Sequence, residues 1–198
     1  MRPKEQTDDT EPEHRPSRDA QPKRAVLLIA SLRGRAVIPL PAEGPLTVGR
    51  GQTAVGVGAG GTGTTALLPD RLLSRQHLRI SLGERGHQVE DLESRNGTFL
   101  DGRRVVQPTR LSDGAMVLFG NQVAVYRQVS DTALEALRRE AEAPFGPVAT
   151  FSPGMATIYA RLRKLARTEV ELLLVGETGV GKEIAARGVH RASGRSGP

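Results

Sequence analysis

The sequence predicts a multidomain chain in which an all-β sandwich is followed by the incomplete start of an α/β unit. Residues 25–127 break into short β-prone runs separated by Gly, Pro, Asn and Asp, with no long helical period between them. The apolar run Val170, Leu172, Leu173, Leu174, Val175 leads straight into the glycine-rich stretch Gly176-Glu177-Thr178-Gly179-Val180-Gly181-Lys182, and then into Ile184, Ala185 and Ala186. That order is strand, loop, helix start. Finally, a hydrophobic fraction of 37% over 198 residues is low for one compact core and fits two unequal parts.

Residues 1–24 are rich in charge and proline, carry no apolar cluster and read as a disordered tail. The β-runs that follow cover 25–30, 36–40, 45–48, 78–82, 88–91, 116–119 and 123–126. Asn96-Gly97 and Asp101-Gly102 are expected to form tight hairpin turns, since both dipeptides tolerate positive φ. The alternation places Leu27, Ile29, Val37, Leu46, Leu78, Ile80, Val89, Val117 and Val123 in the sandwich core. Between Arg50 and Ser74, residues 51–65 carry Gly56, Gly58, Gly60, Gly61 and Gly63 and read as a flexible insertion. Residues 130–143 place Leu134 and Leu137 at helical spacing, with Glu135 three and four residues before Arg138 and Arg139. They read as a short solvated helix linking the two modules over 129–145, ended by Pro144. A second helix follows Ser152-Pro153-Gly154, with Met155, Ile158, Tyr159, Leu162, Leu165 and Ala166 as its apolar face.

Composition narrows the classes. There is no cysteine, so no disulfide scaffold or cysteine-bearing zinc site is possible. Residues 1–24 lack the apolar core of a secretory signal and no later segment is long and apolar enough to span a bilayer, so a cytoplasmic location and no membrane partner are expected. The net charge of +6 invites a nucleic-acid reading, but the basic residues are interleaved with acids and aromatic residues make up only 3%. No helix-turn-helix or RNA-binding signature stands in the sequence, so DNA binding is not expected from this chain.

The loop of residues 176–183 has the chemistry of a phosphate-binding loop. Its glycines let successive backbone N–H groups turn inward, the following helix start adds positive potential, and Lys182 reaches terminal phosphates. The general pattern places Ser or Thr after the lysine as a magnesium ligand, whereas this chain has Glu183. Gly-Glu-Thr-Gly-Val-Gly-Lys-Glu is similar to the corresponding loop of bacterial sigma-54 activators, enhancer-binding proteins of the AAA+ class, which accept a glutamate there. The resemblance extends upstream through Ser152-Pro153-Gly154-Met155 and downstream through Ala186-Arg187-Gly188-Val189-His190-Arg191-Ala192-Ser193-Gly194-Arg195. It implies that residues 146–198 are the N-terminal part of a sigma-54-interaction ATPase domain and that Gly176, Glu177, Thr178, Gly179, Val180, Gly181, Lys182 and Glu183 bind ATP. The magnesium site is left open.

Three fragments fall between the β-runs: Gly49-Arg50, Ser74-Arg75-Gln76-His77 and Ser94-Arg95-Asn96-Gly97-Thr98. With Leu111-Ser112-Asp113-Gly114 before the last pair of runs, their order and spacing resemble the forkhead-associated (FHA) domain, here over residues 25–128. The resemblance implies phosphothreonine binding, with Arg50 as phosphate clamp, Ser74 giving its hydroxyl and Arg75 a second charge. Asn96 would grip the peptide backbone, and His77 would brace the loop. A phosphate dianion calls for such guanidinium forks and short donors on rigid loops.

Together these readings describe the front of an FHA-containing sigma-54-dependent transcriptional activator. Its partners would be a phosphothreonine protein, a Ser/Thr kinase or its substrate, and sigma-54 RNA polymerase in the complete protein. The sequence shows no second acidic strand, arginine finger or sigma-54-contacting loop, so the fragment is expected to bind ATP weakly and to have no catalytic residues of its own, with residues from about 144 onward labile. A phosphopeptide adaptor without ATPase activity and a basic nucleic-acid binder are the alternatives. Thr7 and Thr10, set among Asp8, Asp9, Glu11 and Glu13, are candidate ligands, once phosphorylated, for the FHA site of the same or another molecule.

Overall fold

The structure, a computed structural model, describes residues 23–31, 34–52, 56–60, 63–146 and 150–196; the expected disordered tail of residues 1–24 lies almost wholly outside them. The strands are β1 (Arg24–Ser31), β2 (Gly34–Pro39), β3 (Leu46–Arg50), β4 (Gly56–Gly60), β5 (Gly63–Leu68), β6 (Leu78–Gly83), β7 (Gly86–Asp91), β8 (Thr98–Leu100), β9 (Arg103–Arg104), β10 (Thr109–Arg110), β11 (Met116–Phe119) and β12 (Gln122–Val129). They form two sheets, ordered β2-β1-β12-β11-β8-β9 and β10-β7-β6-β3-β5-β4. The one parallel pair among the described strands is β3 with β5. Three helices follow: α1 (Asp131–Glu142), α2 (Pro153–Leu165) and α3 (Lys182–Ser193).

The sandwich core holds Leu27, Ile29, Ile38, Leu46, Leu78, Ile80, Val89, Val117, Phe119 and Tyr126, none more than 2% exposed. These alternate along their strands, so each sheet turns one apolar face inward. Two expected core residues face elsewhere. Val123 is 39% exposed, because Ala124 and Tyr126 carry the inward register of β12; with a side-chain period of two, neighbours cannot share a face. Val37 packs instead on the outer side of its sheet, beside Val26 and Leu28.

That outer side corrects the reading of α1 as a solvated linker. Leu134, Ala136 and Leu137 are buried and pack with Val26, Leu28, Val129 and Ala156 in a second cluster, so β1 is covered on both faces. The helix starts where Ser130 Oγ accepts from the Ala133 N–H at 3.3 Å, and the predicted Glu135–Arg138 pair forms at 3.6 Å on its exposed side. In α2, Ala156 and Leu162 are buried, whereas Ile158 and Leu165 are partly exposed; Ala156 and Ala160 pack in the cluster with Leu134 and Leu137, and their small side chains let α2 approach α1.

The insertion at 51–65 is also corrected. Residues 56–60 and 63–68 pair as a hairpin that adds β5 and β4 to the second sheet, with Ala66 and Leu68 reaching the core. Asn96-Gly97 is not a hairpin turn: it lies in the connection between β7 and β8. Asp101-Gly102 is one, joining Leu100 to Arg103 with φ of 48° and 79°.

The largest correction concerns residues 170–175. They form no strand, and Leu173 and Val175 are 89% and 84% exposed. Leu172 and Leu174 line a hollow with Ala186 and Val189 of α3, but no described strand lies alongside to complete a ladder, and an extended run becomes a strand only by pairing its N–H and C=O groups.

Behind this segment the helices meet at Phe145. Its ring stacks on Tyr159 with centroids 4.9 Å apart and lies 5.2 Å below the Arg163 guanidinium. Its N–H donates to both Glu140 carboxylate oxygens at 3.2 Å, and its carbonyl accepts from Arg191 at 2.5 Å. Glu140 is buried and receives Arg163 Nη2 at 2.6 Å, so its charge is matched where desolvation would otherwise be costly. A Cβ at Gly188 would come within 2.5 Å of the Phe145 ring, which is why α3 needs glycine there. Thus α2 packs on α1 and α3 is joined to Phe145 through Gly188 and Arg191, whereas residues 170–180 form no helix or strand.

Candidate functional site

Three connections converge at one end of the sandwich: the end of β3, residues 69–77 before β6, and residues 92–97 after β7. Backbone and side-chain bonds stitch them together. The Arg50 N–H donates to the Ser74 carbonyl at 2.9 Å, the Arg95 N–H to Ser74 Oγ at 3.1 Å, and Asn96 Nδ2 to the Leu72 carbonyl at 2.7 Å. Arg50, Ser74, Arg75 and Asn96, separated by up to 46 positions, thus share one surface.

His77 lies fully buried at the centre of this arrangement. Its Nδ1 accepts from the Ser74 N–H at 3.1 Å, and its Nε2 lies 3.2 Å from the Gly97 carbonyl oxygen. An amide N–H only donates and a carbonyl only accepts, so the neutral ring protonated at Nε2 satisfies both. The expected role of His77 as a loop brace fits this geometry.

Gly49 does more than supply backbone freedom. A Cβ there would lie 1.9 Å from the Arg75 carbonyl oxygen, so glycine alone allows β3 to pass directly under the Ser74-Arg75 turn.

Two aspartates, not singled out in the sequence, hold the remaining loops. Asp91 accepts from the Ser94 N–H at 2.9 Å, Ser94 Oγ at 2.7 Å and Thr98 Oγ1 at 2.5 Å, while Ser94 Oγ also takes the Gly97 N–H. Burial pushes the Asp91 carboxyl up, but the hydrogen bonds from Thr98 and Ser94 outweigh it and hold the carboxyl below its ordinary value. Asp70, buried, takes the Leu72 and Asn121 N–H groups and Gln122 Nε2, tying the 69–77 connection to the β11–β12 turn. The Asp-x-x-Ser spacing of Asp91 and Ser94 is a turn signal visible in the sequence; the bond from the Leu72 N–H to Asp70 is local, but the partners that tie Asp70 to the β11–β12 turn, Asn121 and Gln122, lie about fifty residues away.

The surface over this framework is cationic. Arg50, Arg75 and Arg95 are exposed, and none pairs with a carboxylate among the described residues. Arg104 of β9 adds a fourth guanidinium, its Nε 3.1 Å from where a Gly97 Cβ would stand. The Ser74 hydroxyl has accepted one bond and keeps its proton to donate. Asn96 keeps its Oδ1 and one N–H, so the amide grips its own loop with one hydrogen and offers the rest outward.

This end of the sandwich lies within residues 46–120, which match the FHA domain; residues 148–198 match the Sigma-54 interaction domain. The chain joins an FHA domain to a segment of the sigma-54 interaction domain. It is similar to the anaerobic nitric oxide reductase transcription regulator NorR of Aeromonas hydrophila, at 33% identity over 107 residues, covering 49% of this chain and 21% of the relative. It is also similar to the formate hydrogenlyase transcriptional activator of Salmonella typhimurium, at 35% over 65 residues, covering 33% of this chain and 9% of the relative. The chain thus spans about a fifth or less of the length of these relatives. Among solved structures, the FHA domain of the CT664 protein from Chlamydia trachomatis matches with a TM-score of 0.43 and 26% identity, over 52% of this chain and 96% of that one.

In the sigma-54 interaction segment, Gly179 and Gly181 take φ of 86° and 93°, and Gly181 opens α3 without a side-chain cap. The first-turn amides of α3 therefore carry no internal side-chain acceptor, a geometry that suits a phosphate oxygen. Lys182 Nζ donates to the Gly176 and Glu177 carbonyls at 2.9 and 2.7 Å. These donors fit a polyphosphate. Magnesium fits less well: Glu183 is turned along the helix to Arg187 at 2.5 Å, and no group of three candidate ligands occurs among the described residues. No helix of the described residues is long and apolar enough to cross a membrane.

Proposed function

We propose that the chain is a phosphothreonine-peptide reader that forms the regulatory front of a sigma-54-dependent transcription activator. The observation that carries this reading is the convergence of Arg50, Ser74, Arg75 and Asn96 on one braced surface whose guanidiniums have no carboxylate partner among the described residues. Arg50 and Arg75 would clamp the phosphate, the Ser74 hydroxyl would donate to it, and Asn96 would bond the peptide backbone beside it. Arg95 and Arg104 would deepen the positive potential. The partner is then a threonine-phosphorylated protein, a Ser/Thr kinase or its substrate. In the whole protein, sigma-54 RNA polymerase would be the downstream partner.

The glycine loop would bind the phosphates of ATP. Lys182 would exchange the Gly176 and Glu177 carbonyls for phosphate oxygens, and the first turn of α3 would supply backbone donors. ATP, when bound, supplies the triphosphate whose hydrolysis drives remodelling in this class. The residues of this chain bind and orient it, with magnesium recruited mainly by the nucleotide.

Calorimetric titration with matched phosphothreonine and unphosphorylated peptides tests the reading. Only the phosphorylated peptide should bind. Arg50→Ala should weaken it by about 2 to 4 kcal/mol, roughly 30- to 700-fold, through loss of a charge-assisted fork. Equal binding of both peptides would overturn it.

A further inference from the structure

A second cationic surface lies away from the loop end, in the seam between α1 and α2. Thr132, Ala136, Thr157 and Ala160 floor a groove of about 400 Å³, rimmed by Arg139, Arg161 and Lys164 with Glu135 as its only acid. A neighbouring hollow shares Arg139 and Lys164 and adds Arg167. Glu135 is engaged by Arg138. Arg139, Arg161, Lys164 and Arg167 are exposed and form no ion pair among the described residues. Four unpaired cations around a floor of small side chains form a surface for an extended acidic strand of chain, since bulky side chains would fill such a floor and neutral ones would leave the charges unmatched.

The sequence contains such a strand. Thr7-Asp8-Asp9-Thr10-Glu11-Pro12-Glu13 carries four carboxylates and no basic residue. The structure also fixes where the chain leading from it arrives: β1 begins at Arg24, whose Nε is bonded to Asp131 Oδ1 at 3.0 Å, at the first turn of α1. From there to Arg139 is eight residues of helix, about 12 Å at 1.5 Å per residue. The eleven residues from Glu13 to Arg24 reach up to roughly 36 Å at full extension. The acidic strand is therefore tethered at the mouth of the groove with length to spare, which raises its local concentration to roughly millimolar. We infer that residues 7–13 dock in cis in the α1–α2 groove, their carboxylates paired with Arg139, Arg161 and Lys164. Docked there, they lie across the joint that ties the sandwich to the P-loop segment.

Carbodiimide coupling of the full chain tests this, because it joins carboxylates to amines already in contact and Lys164 is the one lysine of the groove. With a mixture of isotopically light and heavy chains, peptides joining Lys164 to Asp8, Asp9, Glu11 or Glu13 should form within single chains. Their yield should fall at least fivefold in 1 M salt, where the Debye length shrinks to about 3 Å. It should fall likewise in Arg139→Gln/Arg161→Gln, which leaves the tail intact. Mixed-isotope products alone would place the tail on a second copy and overturn the cis assignment. Absence of the products, or yields unchanged by salt and by the double variant, would overturn the site. So would duplex DNA that binds through Arg139 and Arg161 with equal affinity in the parent chain and in Asp8→Asn/Asp9→Asn/Glu11→Gln/Glu13→Gln, a result that would make the groove a nucleic-acid surface with no tail to displace.

Discussion

The molecule presents two candidate phosphate-binding loops, and they are held in opposite ways. Around Arg50, Ser74 and Asn96, every supporting group is held by side-chain hydrogen bonds: His77 to Ser74 and Gly97, Asp91 to Ser94 and Thr98, Asp70 to the β11–β12 turn. The glycine loop at 176–182 is approached by a run without ladder bonds, and its lysine closes on its own carbonyls. A site whose donors are already ordered loses little conformational entropy on binding. One that must be ordered loses roughly 1 to 2 kcal/mol per residue fixed. Likeness of ligand chemistry is therefore no guide to affinity.

Gly49→Ala should have the largest effect. The added methyl would collide with the Arg75 carbonyl, a backbone atom that cannot move without displacing Ser74. The cost should be about 4 kcal/mol in urea unfolding, with loss of phosphopeptide binding. A mild effect would mean that the loop end is more pliable than its bonding indicates.

A matched pair of truncations sharpens the contrast. Leu78, fully buried in the sandwich, should cost about 3 kcal/mol when changed to alanine, through lost contacts and a residual cavity. Leu173→Ala, at a position 89% exposed, should change stability by no more than about 0.5 kcal/mol. Comparable costs would show that the 170–175 run is packed in solution.

The smallest effects are electrostatic and confined to the sandwich. Burial disfavours the His87 imidazolium and holds its titration below the ordinary value of 6.5. The neutral ring lies 2.9 Å from the Tyr126 hydroxyl through Nδ1. A depressed folded-state value for histidine gives stability that is full above 6.5 and lost as pH falls through the depressed value. Asp91, held below 3.8, contributes stability that is full above that value and lost as pH falls beneath it. Acid unfolding should accordingly weaken the sandwich in two stages, with His87→Gln removing the upper and Asp91→Asn the lower. Profiles unchanged by either substitution would contradict these assignments.

What the sequence disclosed follows from how local each cause is. Strands with clean alternation, such as Leu78-Arg79-Ile80, were legible, as was the Asp101-Gly102 turn, because period and turn chemistry are short-range. β4 and β5 were hidden by five glycines, which carry no side chain to show a period, although Ala66 and Leu68 alternate into the core. The burial of α1 was missed because Leu134 and Leu137 give the same spacing on a solvated helix as on a packed one; only the second apolar face of β1, Val26 and Leu28, requires a cover. Of the site, Arg50, Ser74 and Asn96 were readable as loop residues in a known order. Asp91 is held by a local Asp-x-x-Ser turn, whereas the bonds of Asp70 to Asn121 and Gln122 depend on tertiary partners, and the 170–175 run read as a strand because its composition is that of one while its ladder partner is not a property of the run.

Amide hydrogen exchange across the chain, with and without phosphothreonine peptide and with and without ATP and magnesium, tests the contrast most directly. The amides of Arg50, Ser74, His77, Arg95 and Gly97 should exchange slowly before any ligand is added, and those next to the peptide should slow further with it. Amides 171–176 should exchange near the unfolded rate and respond little to nucleotide. Strong protection of 170–186 that deepens with ATP, beside fast exchange at the sandwich loops, would contradict the account.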